Sequence, residues 1–327
     1  MQRVNIDGII KKIKACVDRH NLGSYGDYSR WTWGERNLGR NEYGCADAAN
    51  ILYTIGAFPQ SEAERRGFIE KMQKMQNPET GLWSESTHHP IHTTAHVSAA
   101  LELFDARPRY KCAALKKYAD VSGLIELLEK EVDWSRPWPQ SHKGAGILVA
   151  LENTDEIDLM WKDAYFNWMW EHTSPETGFI AFGEANPPLY ESMAGGFHYF
   201  FNHEAEHRPM RYPEKVIDSC IELISRRDAS ILTSHCGFIE IDVVYCLSRA
   251  MRQSPHRFFE AKTVLESFAD EYIKMIDGLD DKTDESFNDL HFLFGACCCL
   301  AELQSALPGK IVSSRPLRLV LDRRPFI

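Results

Sequence analysis

Six segments of the chain begin with polar or small residues and continue as apolar runs at helical spacing. They lie at 43–56, 92–104, 142–153, 190–201, 236–250 and 288–303. Asp47 and His96 occupy equivalent positions in the first two segments, 49 residues apart, and steps of roughly that length lead to the other four. Each run is apolar nearly all round and rich in Ala and Gly, which is typical of a helix packed on every side. The pattern therefore predicts a repeat of buried helices.

Amphipathic, charged stretches alternate with these buried helices. They lie at 61–75, 122–131, 158–171, 213–226 and 258–276, and each keeps one charged face for water. Strand signals are almost absent before residue 311. The chain therefore predicts an all-α fold, an (α/α)6 toroid of six helical hairpins with the apolar helices inside. We expect this domain to span 1–308, followed by a short extended basic tail at 309–327.

Composition and charge exclude several classes of protein. The 327 residues are 44% hydrophobic and 26% charged, which excludes a disordered or collagen-like chain. A net charge of -10 argues against nucleic acid or an anionic membrane as partner. Neither a signal peptide nor an apolar run of about 18 residues is found. Nine cysteines, three of them consecutive at 297–299, suit reduced thiols, and we expect a cytoplasmic protein.

Two connecting loops share the sequence Pro-Glu-Thr-Gly, at 78–81 and 175–178. Pro favours the turn, and Gly supplies the positive φ needed to leave it. In the first loop Gln76, Gly81 and Trp83 resemble the Gln-Trp repeat of squalene-type cyclases. Together with the hairpin pattern, the chain resembles the α/α-toroid superfamilies, namely six-hairpin glycosidases, lyases and sugar epimerases, and more loosely terpenoid cyclases and protein prenyltransferase β subunits. The resemblance implies a toroidal fold.

The inner helices of a toroid run parallel, so their N-terminal turns and the preceding loops meet at one mouth. Here those positions carry acids, imidazoles and phenols. A hydrocarbon cyclised through carbocations needs a pocket nearly free of donors, whereas a sugar needs many hydrogen-bond partners and some flat aromatic faces. The mouth therefore predicts a carbohydrate substrate, although each aromatic has helix packing as its alternative role. The expected binding residues are Trp83, His88, His142, Tyr190 and His198.

Seven residues are candidate catalytic groups because of their positions at the mouth. They are Tyr43, Asp47, His92, His96, Glu191, Glu240 and Asp289. For proton transfer, Tyr43 or a histidine is the expected base and an acid its partner. For hydrolysis, two of the four carboxylates serve, at a separation that sets the stereochemical outcome. Glu240 and Asp242 are two residues apart, so only one of them faces the mouth. Asp47 has helix stabilisation as its alternative role.

Four histidines, His88, His89, His92 and His96, lie close together before and within the second buried helix. His92 and His96 share a helix face at the spacing that binds zinc. Residue 93 is Thr rather than the Glu of metallopeptidases, so peptidase chemistry gains no support. We expect no cofactor, and we expect these histidines to serve in acid/base chemistry or in packing. The alternative is a zinc ion bound by His92 and His96. The resemblance to toroidal uronate lyases and epimerases implies acid/base chemistry by His–Tyr or His–His pairs.

A terpenoid enzyme is a competing hypothesis. Asp280, Asp281 and Asp284 fit the Asp-Asp-x-x-Asp pattern that binds a magnesium diphosphate. The pattern lies in a polar stretch after Gly278, where a solvated connector is the simpler interpretation, and the second magnesium motif of such synthases has no match downstream. Of the zinc ligands of protein prenyltransferases, the sequence offers a match only at Asp218, which lies on a predicted outer helix. Magnesium at 280–284 is therefore the alternative and not the expectation.

The sequence predicts a carbohydrate-active enzyme, a glycoside hydrolase, lyase or epimerase, that uses acid/base chemistry at the mouth. Hydrolysis, elimination and epimerisation stay open. The alternatives are the terpenoid cyclase or prenyltransferase and a non-catalytic binding toroid, whose mouth acids would all be paired with Arg or Lys. The expected partner is a small saccharide, with neither nucleic acid nor membrane. The tail, with Arg315, Arg318, Arg323 and Arg324, is expected to pack across the toroid or against a second subunit.

Overall fold

The computed structural model describes residues 3–228, 231–232, 235–323 and 326. Most of these residues are helical, as the apolar pattern predicts. None of the described helices combines the length and the apolar character that a bilayer crossing requires. All nine cysteines are buried, and their reduced state stays a prediction.

The helices follow the predicted alternation of amphipathic and buried segments. The α-helices are α1 (Asp7–Arg19), α2 (Glu42–Thr54), α3 (Glu62–Met75), α4 (Pro90–Glu102), α5 (Val121–Glu126), α6 (Pro137–Gly144), α7 (Gly146–Glu152), α8 (Leu159–Glu171), α9 (Leu189–Ala205), α10 (Pro213–Arg226), α11 (Ile239–Gln253), α12 (Phe258–Gly278), α13 (Glu285–Asn288), α14 (Leu290–Ala306) and α15 (Val320–Arg323). A 3-10 helix at Ala113–Tyr118 precedes α5, and a π-helical turn at Leu127–Glu131 follows it. The strands are β1 (Val4–Asn5) and β2 (Ile311–Val312).

The buried helices contact one another in a closed circuit. Helix α2 packs against α4, α4 against α7, α6 against α9, α9 against α11, α11 against α14, and α14 against α2. Helices α6 and α7 are consecutive halves of the third buried segment, so the circuit passes through them. The amphipathic helices lie outside this circuit, with α3 packed on α2 and α4, and α10 packed on α9 and α11.

The third buried segment is interrupted at Ala145, where the apolar pattern predicts one helix over 142–153. The Tyr165 hydroxyl donates to the carbonyl of Gly144 at 2.9 Å, and the side-chain amide of Asn202 donates to the carbonyl of Ala145 at 3.0 Å. These donors from α8 and α9 occupy two carbonyls at the junction of α6 and α7. These tertiary contacts coincide with Gly144 and Gly146, which flank Ala145 and weaken the helix on both sides of it.

The inner helices are buried on all sides, whereas the outer ones bury one face. Every residue of α4 from 91 to 101 is buried, while α10 alternates buried and exposed positions at helical spacing. Helix α2 begins at Asn41, whose side chain accepts hydrogen bonds from the backbone N–H groups of Tyr43 and Gly44. A Cβ at Gly44 would lie 2.5 Å from the carbonyl carbon of Ser29, so glycine lets the 28–30 segment reach the top of α2.

Both Pro-Glu-Thr-Gly loops adopt the turn that the sequence predicts. Gly81 has a φ of +75° and Gly178 a φ of +80°. A Cβ at Gly81 would lie 1.8 Å from the carbonyl oxygen of Lys111, so the next connection packs directly on this turn. Trp83 is fully buried, and its indole N–H donates to the carbonyl of Met72 at 2.7 Å. Trp83 therefore packs the loop against α3, and its role here is packing.

The C-terminal tail packs on its own domain. Strand β2 pairs in parallel with β1, and Val320 and Phe326 are buried. The tail is not extended throughout, because residues 320–323 form α15. The ring of Phe326 lies 5.0 Å from the ring of His92, so the tail reaches the inside of the helix circuit. Arg324 lies outside the described residues, and contact of the tail with a second subunit stays a prediction.

Candidate functional site

A small cavity lies among the N-terminal halves of the inner helices. Its volume is about 40 Å³, and it is lined by His88, His92, Trp138, His142, Phe197, His198, Phe238, Asp242 and His291. Lining residues 88, 138, 142 and 238 are half-buried, and the others are buried. The cavity therefore has a solvent-facing rim and a closed floor, and it brings together three of the predicted binding histidines with the predicted catalytic His92.

Tyr43 supports His92 from helix α2. Its hydroxyl oxygen lies 2.6 Å from Nδ1 of His92, and its ring stacks on the rings of His88 and His96 at centroid distances of 4.6 and 4.8 Å. Burial raises the pKa of Tyr43 well above its usual value. Tyr43 is not among the cavity-lining residues. Its geometry therefore suits positioning of His92 better than the proton abstraction expected from the sequence.

Asp47 joins two histidines from different helices. Its carboxylate lies 2.9 Å from Nε2 of His96 and 3.1 Å from Nδ1 of His291. Burial opposes ionisation of Asp47, but attraction to and hydrogen bonds from His291 and His96 outweigh it and lower the pKa. The ionised Asp47 thus accepts an N–H from each imidazole. His291 lines the cavity while its other side is held by Asp47, which is the arrangement of an oriented general base.

Asp289 has a structural partner outside the cavity. Its carboxylate accepts hydrogen bonds from Nε and Nη2 of Arg30 at 2.8 and 2.9 Å and from the indole N–H of Trp31 at 3.0 Å. It also accepts a hydrogen bond from the backbone N–H of His291. Arg30 also reaches Glu85 at 3.5 Å. This buried cluster ties the 30–31 segment to the beginning of α14. Asp289 therefore positions His291 without reaching the cavity.

Of the two acids at the beginning of α11, Asp242 lines the cavity and Glu240 does not. Glu240 accepts the backbone N–H groups of Leu232 at 3.0 Å and Gly237 at 3.2 Å, so it holds the loop before the helix. Neither carboxyl oxygen of Asp242 has a hydrogen-bond partner among the described residues. Burial raises the pKa of Asp242 well above its usual value. The cavity-facing acid is thus Asp242, where the sequence analysis favoured Glu240.

Burial favours the neutral form of four cavity histidines, His88, His92, His142 and His198. Burial lowers the pKa of His88 and of His198 to about 4. It lowers the pKa of His92 and of His142 still further, and the neighbouring imidazoles add to this effect. A neutral imidazole offers one nitrogen lone pair as hydrogen-bond acceptor or metal ligand.

The remaining predicted residues lie away from the cavity. Tyr190 and Glu191 occupy the first turn of α9, half-buried, and neither is among the lining residues. His96 is fully buried behind Asp47. Trp83 packs in its loop as described. The structure thus gathers the histidines of the predicted site and separates most of its carboxylates.

Potential metal-ligand atoms fall into two groups among the described residues. His88, His92 and His142 form one group, and Asp47, His96 and His291 form the other, with the ligand atoms of each group within 4.8 Å of one another. His92 and His96, the pair of the alternative zinc hypothesis, belong to different groups. The physical reason is that Tyr43 holds His92 and Asp47 holds His96.

The magnesium alternative finds a different geometry. Asp280 accepts the backbone N–H of Lys282 at 2.9 Å, Asp281 pairs with Arg19 at 2.9 Å, and Asp284 caps helix α13. Each carboxylate therefore has a local partner. The three do not form a metal-ligand group within the described part of the chain.

A polar groove lies beside the cavity, between the 31–42 loop and the 84–87 loop. Its volume is about 790 Å³, and Trp31, Arg36, Arg40, Glu42, Glu85 and Thr87 are among its lining residues. Thr87 also contacts His88 on the rim of the cavity, with 2.7 Å between its hydroxyl and Nδ1. The groove therefore offers a polar surface of ligand size next to the histidines.

Three site residues did not enter the predicted set, namely Arg30, Asp242 and His291. Asp242 and His291 carried a detectable signal, since each is a titratable residue in the first turn or two of an apolar helix. Arg30 had none, because a single arginine in a loop is ordinary in any sequence.

Comparisons of the chain with protein-family models, with curated proteins and with solved structures gave no match. The fold and the site define a helical protein with a buried, histidine-rich cavity, and its function has to be argued from that geometry.

Proposed function

We propose that this protein is an enzyme that moves protons on a carbohydrate substrate at the mouth of an (α/α)6 toroid. The closed circuit of contacts through α2, α4, α6–α7, α9, α11 and α14 supports the toroid, since it has the connectivity of an inner ring. Nine buried cysteines, three of them consecutive, suit a reducing compartment, for which we propose the cytoplasm.

The observation that carries the proposal is the presence of a base and an acid on one cavity. His291 is held by the carboxylate of Asp47, and Asp242 is a buried carboxyl with no partner among the described residues. An imidazole oriented by a carboxylate and a carboxyl group facing the same cavity are the groups that general acid/base catalysis uses. His291 is the proposed base, Asp47 its positioning residue and Asp242 the proposed acid.

Two alternatives fit this geometry less well. A two-carboxylate glycosidase needs an acid on each side of the bond, but Asp242 is the only carboxylate among the described residues that line the cavity. A non-catalytic toroid predicts that the acids of the mouth pair with Arg or Lys, and Asp242 pairs with neither within the part of the chain that the structure describes. We therefore favour epimerisation or elimination, in which a proton leaves a carbon beside a carbonyl or carboxylate.

A carbohydrate suits the surfaces around the cavity. At about 40 Å³ the cavity admits only the reacting carbon and its substituents, because whole-ligand pockets measure about 300–1,000 Å³. The rest of the substrate would lie on the rim, where Trp138 offers an aromatic face, and along the polar groove. Carboxylates, guanidinium groups and hydroxyls in that groove match the hydroxyl groups of a sugar.

Proton exchange in D₂O tests the proposal without knowledge of the product. Uronic acids, N-acylhexosamines and uronate-containing oligosaccharides are incubated with the protein, and NMR follows loss of the carbon-bound proton and appearance of new signals. We expect exchange on at least one substrate, and a fall of about 100-fold or more in His291→Asn and in Asp242→Asn. His207→Gln, at an exposed histidine, is the matched control and should keep full activity.

Equal turnover in the wild type and both variants would contradict the assigned roles. A rise in melting temperature caused only by a prenyl diphosphate with magnesium, lost in Asp280→Ala, would replace the carbohydrate enzyme with the terpenoid alternative.

A further inference from the structure

Hydrogen-bond partners fix the protonation of two cavity histidines. Nδ1 of His198 lies 3.0 Å from the carbonyl oxygen of Ala194, and a carbonyl only accepts, so Nδ1 carries the proton. Nδ1 of His291 donates in the same way to the ionised carboxylate of Asp47 at 3.1 Å. In each ring Nδ1 therefore carries a proton, and Nε2 of the neutral His198 is left with a lone pair.

His88 reaches the same state through Thr87. The Thr87 hydroxyl contacts Nη1 of Arg30 at 2.7 Å, Nδ1 of His88 at 2.7 Å and the carboxylate of Glu85. Burial opposes ionisation of Glu85, but its neighbours, His88 and Thr87 first among them, lower its pKa to about 2, so this carboxylate only accepts. Arg30 only donates. The single hydroxyl proton of Thr87 must therefore go to Glu85, and His88 must donate from Nδ1, which leaves its Nε2 with a lone pair.

The cavity consequently holds more acceptors than donors. Asp242 has no hydrogen-bond partner for either carboxyl oxygen among the described residues. One protonated carboxyl can satisfy one of the lone pairs at most. A cation can accept several such nitrogen lone pairs at once.

We propose that His88, His92 and His142 bind one divalent transition-metal ion, with zinc as the first candidate. One nitrogen from each lies within 4.8 Å of the other two. A point central to three atoms at this spacing is at most about 2.8 Å from each, and side-chain rotation can shorten this to the Zn–N distance of about 2.0–2.1 Å. Three imidazoles beside a cavity of about 40 Å³ leave a fourth position for water or substrate.

Two of the three proposed ligands, His88 and His92, have the supporting partner that metal-bound histidines usually have. Nδ1 of His88 donates to Thr87, which is in turn bound to Glu85, and Nδ1 of His92 faces the hydroxyl oxygen of Tyr43 at 2.6 Å. Such partners fix the ring and leave Nε2 for the ion. The ion would lie beside His291 and Asp242, where it can polarise a substrate oxygen as a Lewis acid.

The second group is already satisfied without an ion. The carboxylate of Asp47 receives hydrogen bonds from His96 and His291, so protons occupy the directions in which a metal would bind. The proposal therefore assigns the ion to the group of His88, His92 and His142 alone.

Metal titration of the full-length protein tests this assignment. Protein stripped with a chelator is titrated with Co²⁺, followed by visible absorption, and with Zn²⁺, followed by calorimetry, and bound metal per chain is measured by elemental mass spectrometry. We expect one ion per chain. His142→Ala should weaken affinity more than about 100-fold, since losing a ligand exceeds the 10–100-fold cost of losing a supporting partner, which is the effect expected for Tyr43→Phe.

Asp47→Asn and His96→Gln are the matched controls from the second group and should retain binding within a few-fold. Loss of binding in these two with full binding in His142→Ala would overturn the assignment, and so would the absence of stoichiometric binding in the wild type. His88→Ala carries the same expectation if His142→Ala does not fold, which circular dichroism reports. The ion site uses the cavity of the proposed reaction, but binding is measured without substrate, so failure of either proposal leaves the other standing.

Discussion

Two arginines are buried among the described residues, and carboxylates surround each of them. Arg30 contacts Asp289 at 2.8 Å, and Arg249 contacts Glu204 at 3.1 Å and also the buried Glu302. A buried charge is tolerated only when it is paired and hydrogen-bonded, and the guanidinium group offers five donors for this purpose. Asp242, which lines the cavity, has no hydrogen-bond partner among the described residues, and burial raises its pKa.

Removal of Arg30 should be far more costly than removal of an exposed neighbour. Arg30→Met leaves Asp289 and Glu85 buried without their cation, and we expect a loss of about 3–5 kcal/mol in the free energy of unfolding. Arg36→Met removes an exposed ion pair with Glu285, with an expected loss of about 1 kcal/mol or less. Urea denaturation followed by circular dichroism measures both. Equal losses in the two variants would contradict the role of Arg30 as the centre of a buried cluster.

At the scale of single elements, the turns depend on glycine for two separable reasons. Gly81 and Gly183 both have positive φ, at +75° and +68°. Only Gly81 also lies against another part of the chain, the carbonyl of Lys111, whereas a Cβ at Gly183 would meet nothing within 4 Å. Backbone strain is common to both positions, and steric overlap belongs to Gly81 alone.

The two alanine variants should separate these contributions. Gly183→Ala carries the cost of the left-handed backbone, about 1–2 kcal/mol. Gly81→Ala carries the same cost and must also displace the 111–112 segment, which adds about 1–3 kcal/mol. Thermal unfolding of the two variants measures the difference. A Gly81→Ala protein as stable as Gly183→Ala would show that the Lys111 connection moves aside freely.

At the scale of the whole molecule, burial of neutral histidines couples stability to pH. His203, on α9 and outside the cavity, is a clear case. Burial lowers its pKa from 6.5 to about 4, with a smaller contribution from Arg208, and its Nδ1 lies 3.0 Å from the carbonyl of Tyr199. At a pH between these two pKa values, His203 is protonated in the unfolded chain and neutral in the folded chain. Stability from this residue is therefore complete above the unfolded value and is lost as the pH falls toward about 4.

From this linkage we expect His203 to account for about 2 kcal/mol of the stability lost between about pH 7 and about pH 5. His203→Gln removes the titrating group, so its unfolding free energy should fall less steeply over that range than that of the wild type. His207→Gln, at an exposed histidine four residues along, should keep the wild-type slope. Urea denaturation at several pH values gives the slopes, and identical slopes in all three proteins would show that His203 is not held neutral.

Much of the helix pattern was predictable because it depends on the spacing of apolar residues within each segment. The inner helices are apolar all round and the outer ones on one face, so the sequence alone located both sets, as well as the glycines of the two Pro-Glu-Thr-Gly turns. The same signal brought most of the cavity histidines into the predicted site. Position near the beginning of an inner helix was enough to select His88, His92, His142 and His198.

Only the tertiary structure decided which side chains act together. His92 and His96 bind different partners, and Arg30 joins the site, through contacts with residues 49 or more positions away in the sequence. Whether Asp242 or Glu240 faces the cavity depends on how far helix α11 is rotated about its axis. At Ala145, donors from α8 and α9 likewise contact the interrupted helix. Periodicity reports that a helix is buried, but a helix buried on every side has no polar face in its sequence to show which residue points to the cavity.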